Sequence, residues 1–187
     1  MDQSTSCMGV SVIDVNLRKP EPFKLQYMNT IFGDKLLYDI PVQFDDLSGT
    51  KVLARSWAMA RSINMLLQVF EPDMGIGEDN FLGRSPSTFK QLIQLTEILR
   101  EPFVANGVHF SLVLPRLAKS IVGADFKGSE KEDVHIGLMN YPFLDANGID
   151  LSIVDEHSSD SGAIGLWRCE KLARDHGVFI GDQSFAR

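Results

Sequence analysis

The chain has 187 residues, of which 44% are hydrophobic and 23% are charged, as is ordinary for a globular protein. Its 25 acidic and 18 basic side chains give a net charge of −7, and an acidic chain is repelled at long range by nucleic-acid phosphates and by anionic membranes. Nucleic acid is therefore not the expected partner. No apolar run approaches the ~20 residues that a membrane-spanning helix needs, so no transmembrane segment is expected.

Two cysteines, Cys7 and Cys169, are too few for a disulfide framework or for a four-ligand zinc site. The first residues lack the basic and apolar regions of a signal peptide. Both observations favour a reducing compartment and thus the cytoplasm. The sequence has no recognisable cofactor loop and no metal-ligand set, so we expect neither a cofactor nor a metal.

The first part of the chain is predicted to contain a tail followed by strands. Residues 1–9 are predicted to be a flexible tail, and residues 10–187 are predicted to be a single domain. Val10–Val15 is predicted to be a short strand. Phe23–Phe44 is apolar and strand-prone, with a turn at Gly33-Asp34.

The longest predicted helix is Val52–Phe70, where apolar residues recur three and four positions apart. The following segment, 73–83, contains three glycines and three acidic residues and is predicted to be a long loop. Its Gly75-Ile76-Gly77 run does not fit a phosphate-binding loop, because the next two residues, Glu78 and Asp79, would repel phosphate.

A second helix is predicted after Ser85, which can cap it, with Pro86 in the first helical position and Pro102 at its end. Val108–Leu114 is predicted to be a buried strand, and residues 116–122 a short helix or turn.

The last part of the chain contains the strongest turn signal. Val134–Glu156 is predicted to be a β-hairpin around Asn147-Gly148, because adjacent positions with positive φ suit a tight hairpin turn. A final helix is predicted over Ala163–His176, with Gly177 in the left-handed position that follows a helix end. The predicted fold is α+β, with a small, mostly antiparallel sheet and about three helices.

One candidate site follows the predicted hairpin, where Asp155, Glu156, His157 and Asp160 lie close together in sequence. Carboxylates and an imidazole in this arrangement can hold a divalent metal or share proton-transfer work. The competing interpretation, which we favour at this stage, is a polar loop that caps the next helix.

A second candidate is a basic face of the first long helix, formed by Lys51, Arg55 and Arg61. These residues are the charged positions of that segment, and Lys51 and Arg55 share one helix face. The face would bind an anion or a partner protein. The favoured alternative is that these side chains are solvated and pair with acidic residues elsewhere.

The sequence as a whole indicates a non-enzymatic interaction or assembly protein, of a viral structural or accessory type or a partner-binding inhibitor. It would act through protein–protein contacts, including self-association through the broad apolar face of Val52–Phe70. One alternative is a small hydrolase in which His157 is the base and Asp155 or Asp160 orients it. Another is a nucleic-acid binder that uses Lys51, Arg55 and Arg61. A concave pocket around His157 would favour the hydrolase.

Overall fold

The structure is a computed structural model that describes residues 1–37, 51–80 and 85–178. Two sheets lie in these ranges. The strands are β1 (Asp2–Gln3), β2 (Cys7–Val15), β3 (Phe23–Phe32), β4 (Met74–Glu78), β5 (His109–Val113) and β6 (Leu144–Asp145). A curled sheet has the order β1-β2-β3-β6, in which β6 joins β3 in parallel and the other pairs are antiparallel. Strands β4 and β5 form a separate parallel pair.

Met1 connects the two sheets. Its backbone nitrogen donates to the carbonyl oxygen of Ile76 at 2.8 Å, and the backbone N–H of Glu78 donates to the Met1 carbonyl oxygen at 3.2 Å. This is the hydrogen-bond pattern of parallel neighbours, with Met1 opposite Gly77. The strands therefore follow one another across the molecule in the order β6-β3-β2-β1-β4-β5.

The described residues contain six α-helices. These are α1 (Gly33–Leu37), α2 (Lys51–Phe70), α3 (Pro86–Ala105), α4 (Pro115–Ile121), α5 (Lys131–Met139) and α6 (Glu156–Asp175). Since successive strand residues point to opposite faces, Met8 packs in the core with α2 and α3, whereas a second core beside α5 and α6 contains Phe23. Helices thus cover both faces of the sheet. None of the helices in the described ranges is long and apolar enough to cross a bilayer.

The predicted fold class is wrong. In place of about three helices and a mostly antiparallel sheet, the described residues form six helices, a mixed sheet and a parallel pair. Parallel strands need long crossover connections, usually helical ones, and α3 is the connection between β4 and β5. The sequence signals for this crossover were present, but β4 was taken for a loop.

The first residues are also placed differently from the expected flexible tail. Asp2–Gln3 is a strand paired with β2, and Met1, Asp2 and Gln3 are each less than 10% exposed. The Asp2 carboxylate can be buried because it pairs with His157, and the Gln3 side-chain nitrogen because it donates to Glu78 and Thr96. The division of the chain into a tail and a single domain stays a prediction.

Several local predictions are confirmed. Helix α2 spans Lys51–Phe70, and the Ser85 side chain caps α3, which has Pro86 in its first turn. Strand β5 and helix α4 lie where a strand and a short helix were predicted. Gly177 has a φ of 71° directly after the end of α6. Pro102, in contrast, lies inside α3, which continues to Ala105.

The predicted hairpin is wrong, although its turn is right. Asn147 and Gly148 have φ values of 53° and 79°, and the Ile149 N–H donates to the Ala146 carbonyl oxygen at 2.9 Å. The turn connects β6 to a short 3₁₀ segment, Leu151–Ile153. The predicted first strand is helix α5, which a capping box at its start stabilises.

Three other predicted segments changed. The expected turn at Gly33-Asp34 is the start of α1, and the loop predicted over 73–83 contains β4. Helix α6 begins at Glu156, seven residues before the predicted start, because Asp155 caps it. The predicted strand region beyond residue 37, and residues 81–83 of the predicted loop, lie outside the described residues.

Candidate functional site

Four ionisable side chains meet where β1, β4 and α6 come together. Asp2 lies on β1, Glu78 is the last residue of β4, and His157 and Asp160 lie near the start of α6. Strands β1 and β4 are parallel neighbours, so their carboxyl ends reach the same edge of the sheet. In open α/β sheets this edge is where ligands bind.

Gly9 allows α6 to approach the sheet closely enough to complete the site. It lies opposite Asp2 in the β1–β2 register. A Cβ atom at Gly9 would stand 1.8 Å from the backbone oxygen of His157, a distance that no side chain tolerates. The helix backbone therefore rests directly on β2, and His157 is brought next to Asp2.

The start of α6 is fixed by a hydrogen-bond cluster on β3. The Asp155 carboxylate accepts from the Ser158 backbone N–H at 2.9 Å and from the Thr30 hydroxyl at 2.5 Å. The Thr30 and Ser158 hydroxyls are themselves 2.9 Å apart. Burial alone would raise the pKa of Asp155, but these hydrogen bonds hold it below its usual value. Asp155 is thus an ionised helix cap that also binds β3 through Thr30.

His157 and Asp2 form an ion pair at the centre of the site. The His157 Nδ1 atom is 2.7 Å from an Asp2 carboxylate oxygen, and both side chains are largely buried. The hydrogen bond with Asp2 raises the pKa of His157 above its usual value, and burial opposes this only in part. The other ring nitrogen, Nε2, is 3.7 Å from the Glu156 carboxylate.

The carboxyl groups of Glu78 and Asp160 bind protons more tightly than usual. Burial, followed by repulsion from the Asp2 and Asp160 carboxylates, raises the pKa of Glu78 to about 7. Burial and repulsion from Asp2 raise the pKa of Asp160 to about 6. Three carboxyl groups therefore share a buried space in which their negative charges are not fully compensated.

Two lysines partly offset this negative charge. The positive charge of Lys119 on α4 lowers the pKa of both Glu78 and Asp160. Lys119 is half-buried, and no hydrogen bond or ion pair of its side chain lies within the described ranges. Lys131, the first residue of α5, forms an ion pair with Glu156 at 2.5 Å, and its positive charge lowers the pKa of Asp160.

A second hydrogen-bond cluster holds the ends of β1 and β4 together. The Gln3 side-chain amide donates to the Glu78 carbonyl oxygen at 2.5 Å and contacts the Thr96 hydroxyl at 3.3 Å. Asn80 donates to the same hydroxyl at 2.7 Å. These bonds link the strands that carry Asp2 and Glu78 to α3.

The donor chemistry of the site fits a hard divalent cation. Carboxylate oxygens are the preferred ligands of Mg²⁺ and Ca²⁺, and a cation beside Asp2, Glu78 and Asp160 would neutralise the repulsion that raises two of their pKa values. As they stand, however, no three histidine, cysteine or carboxylate side chains of the described residues are grouped closely enough to hold an ion.

The structure brings some of the predicted candidates together and separates others. His157 and Asp160 share the site, whereas Asp155 is the cap of α6. Lys51 and Arg55 lie elsewhere, on α2. Among the other predicted residues, Arg55 makes two hydrogen bonds to Asp34, at 2.9 and 2.7 Å, Lys51 lies 3.3 Å from the same carboxylate, and Arg61 is exposed. Their role in binding stays a prediction.

Sequence reasoning missed Asp2 and Glu78. Asp2 was assigned to the tail, and Glu78 was used only as an argument against phosphate binding. A signal for Glu78 was present: Met74, Ile76 and Glu78 alternate with Gly75 and Gly77, which is the period of a strand that ends in a carboxylate. No comparable pattern marks Asp2, since β1 is only two residues long.

Both cysteines are buried and not joined to each other. Burial raises the pKa of the Cys169 thiol to about 12, so it is protonated at neutral pH and is a poor nucleophile.

The α/β fold with a carboxylate–histidine edge resembles a known structural class. The chain is similar to a solved structure of RuvC from Thermus thermophilus, with 16% identity over 95% of this chain and 94% of that chain and a TM-score of 0.64. It is also similar to T. thermophilus RuvC solved in complex with a Holliday junction substrate, with 16% identity over 93% of each chain and a TM-score of 0.69. No family model and no curated protein matches the chain.

This likeness overturns three of our predictions. A non-enzymatic assembly protein is the wrong class, and so is the viral, protein–protein interaction type, because the structures that share the fold are those of RuvC. The prediction that nucleic acid is an unlikely partner is wrong as well, since one of those structures holds a DNA junction.

Proposed function

We propose that this chain is a nuclease that hydrolyses phosphodiester bonds in branched DNA. The observation that carries the proposal is the convergence of Asp2, Glu78 and Asp160 in one partly buried space, where burial and then their mutual repulsion raise two pKa values. Structural ion pairs normally lower carboxyl pKa values. Carboxyls kept close together without enough cations are typical of sites that bind a charged ligand.

The RuvC-like fold supports the choice of substrate. The fold alone does not determine chemistry, but here the carboxylate cluster lies at the carboxyl ends of the parallel strands. One of the two RuvC structures described above holds a Holliday junction, which is a four-way DNA branch. A four-way junction is therefore the first substrate to test.

A divalent cation that drew Asp2, Glu78 and Asp160 together would polarise the phosphate and lower the pKa of an attacking water. The requirement for ionised carboxylates makes the site depend on pH. Since the pKa values of Glu78 and Asp160 are about 7 and 6, cleavage should increase as pH rises through this range.

His157 and the two lysines supply positive charge to the same place. The ion pair with Asp2 orients the His157 ring, which leaves Nε2 directed toward Glu156 and Lys131. Lys119, with no ion-pair partner in the described ranges, is placed to contact a phosphate of the bound DNA. These residues would bind and position the substrate, whereas the carboxylates would carry the cleavage chemistry. This differs from the predicted hydrolase, in which His157 is the base and Asp155 or Asp160 orients it.

The test is cleavage of a fluorescently labelled synthetic four-way junction by the full chain in Mg²⁺ or Mn²⁺. We expect Asp2→Asn, Glu78→Gln and Asp160→Asn each to reduce the cleavage rate by at least about 10³-fold, since each removes one of the clustered charges. Lys119→Ala should weaken DNA binding and reduce its dependence on salt.

Glu101→Gln is the matched control, because Glu101 is an exposed carboxylate on α3 and the same charge is removed there. Full activity of a folded Asp160→Asn variant, or equal loss in Glu101→Gln, would contradict the proposal. Junction binding without cleavage in any divalent cation would also contradict it.

We further propose a cytoplasmic location. The two buried cysteines, which are not joined in a disulfide, and a DNA substrate support it.

A further inference from the structure

A groove lies on the side of Met1 away from the candidate site. Its volume is about 750 Å³. One wall is the run of β2 from Val10 to Val15, and the facing wall is the start of β4, Met74–Ile76. Apolar residues of α2 and α3, including Leu67 and Phe103, close it below, and Gly165 and Cys169 of α6 close it above.

Both walls present strand edges without a partner. Strand β2 pairs with β3 along its whole length, but β1 covers its other edge only at Met8 and Gly9. Strand β4 pairs with β5 on one side, while the backbone of its other side forms strand-type hydrogen bonds only with Met1 among the described residues. Beyond Met1, the described residues supply no strand that pairs with either edge. Buried backbone groups are normally paired, so two facing edges of this kind suit a strand.

The register of β1 defines how such a strand would lie. Asp2 is opposite Gly9, so continuing β1 backwards places the two residues before Met1 opposite Ser11 and Val12. On the other side, Met1 lies opposite Gly77, so the same two residues fall opposite Ile76 and Gly75. One strand therefore fits both edges at once, antiparallel to β2 and parallel to β4.

The two faces of the groove specify different side chains. Met1 packs in the core beside α2 and α3, where large apolar residues surround the groove. The opposite face is close to α6, where a Cβ at Gly165 would already be 2.8 Å from Ile13. Arg168 also crosses this face to donate to the Met74 sulfur at 2.9 Å. Large residues fit toward α2 and α3, and small ones fit toward α6.

We propose that this groove is a strand acceptor, and that it binds an extended apolar segment of about five residues that is joined to Met1 and continues β1. The length follows from the five residues Ser11–Val15, because each of them would lie opposite one residue of the segment. The segment would fix β1 between β2 and β4 and so hold Asp2 in place. This inference does not depend on the proposed nuclease activity.

The test is to join the segment Val-Ile-Ala-Ile-Ala to Met1 in the full chain, behind a new initiating methionine. Its isoleucines would face α2 and α3, and its alanines would face α6. The control segment Val-Pro-Ala-Pro-Ala has the same length, but its prolines cannot donate backbone hydrogen bonds. We expect the first segment to raise Tm by about 5 °C or more, with no comparable rise from the control.

Hydrogen exchange provides the structural readout. The groove-side amides of Val10–Val15 should exchange at least about tenfold more slowly with the first segment than with the control. Equal Tm and equal exchange for the two segments would overturn the proposal. A rise that accompanies dimer formation in light scattering would place the segment in a second copy, and would overturn it too.

A last variant tests whether residues 179–187 of the same chain occupy the groove instead of a segment joined to Met1. It ends at Val178, so residues 179–187 are removed. If the added segment stabilised this shortened variant but not the full chain, residues 179–187 would be the groove's occupant and the proposal would be wrong. Equal stabilisation of both chains would support it.

Discussion

Removing one carboxylate from the candidate site should stabilise the protein at high pH. The pKa of Asp160 rises from 3.8 to about 6, and one pKa unit corresponds to about 1.4 kcal/mol. Ionised Asp160 therefore costs the folded state roughly 3 kcal/mol at pH 8. Because the Asp160 side chain keeps some contact with water, and because Lys119 lies nearby, we expect Asp160→Asn to recover about 2 kcal/mol.

The direction of the pH dependence follows from the same values. Glu78 and Asp160 bind protons more tightly in the folded chain than in the unfolded one. The stability that they contribute is fully present below about pH 4 and is lost as pH rises through about 6 to 7. His157, whose pKa is also raised, acts in the same direction. All three groups make the wild-type protein less stable at pH 8 than at pH 5.

The assay is thermal unfolding at pH 5 and pH 8 in the presence of a chelator. At pH 8 the Tm of Asp160→Asn should exceed that of the wild type by about 4–8 °C, since 1 kcal/mol shifts Tm by roughly 2–4 °C in a chain of this size. At pH 5 roughly half of the difference should remain, because Asp160 is protonated in the folded chain but still ionises on unfolding; only below about pH 4 should the difference nearly vanish. Glu101→Gln should change neither value by more than about 1 °C. A variant no more stable than the wild type at pH 8 would refute the claim that uncompensated repulsion exists in the site.

Three further substitutions test how the site is built. Gly9→Ala should destabilise the protein by about 3 kcal/mol or more, because the new Cβ would collide with the His157 backbone. The same variant should lose the proposed DNA cleavage. An unchanged denaturant midpoint would show that α6 does not rest on β2. Replacing Asn147-Gly148 with Val-Val should lower Tm, since β-branched residues at two positive φ values cost about 1–3 kcal/mol each, and an unchanged Tm would mean that the turn is misplaced. Asp155→Ala should lower the free energy of unfolding, measured with urea, by about 1 kcal/mol, because the helix cap is lost. An unchanged free energy of unfolding would mean that Thr30 and Ser158 alone hold the start of α6.

The sequence predicted those helices and helix ends that are determined by residues close together in the chain. The cap of α3 by Ser85 and its first-turn Pro86 are adjacent in the chain, and the end of α6 at Gly177 depends on one residue's backbone freedom. Helix α2 was predictable because its apolar period is long enough to be unambiguous.

The failures occurred where a short pattern fits two structures. Val134, Ile136 and Leu138 alternate as in a strand, but Val134 and Leu138 also lie four apart. The fold buries these two and leaves Ile136 44% exposed, as a helix requires. In β4, Gly75 looked like a loop residue; the fold uses it to admit the Phe103 ring, which lies 2.3 Å from where a Cβ would stand.

The candidate site was the least predictable part. His157 and Asp160 were identified because they are neighbours in sequence. Asp2 is 155 positions away from His157, and only the meeting of β1 with α6 brings the two together. No spacing rule relates residues that belong to different elements at opposite ends of a chain.

The separation of Asp2 and His157 also bears on how the protein is synthesised. Asp2 is synthesised before the start of α6, because it lies 155 positions ahead of His157 in the chain. Incomplete nascent chains therefore carry the early carboxylates without the histidine and helix that finish the site. If the chain is the proposed nuclease, a translation product abandoned before α6 would have an incomplete site and would not cleave DNA.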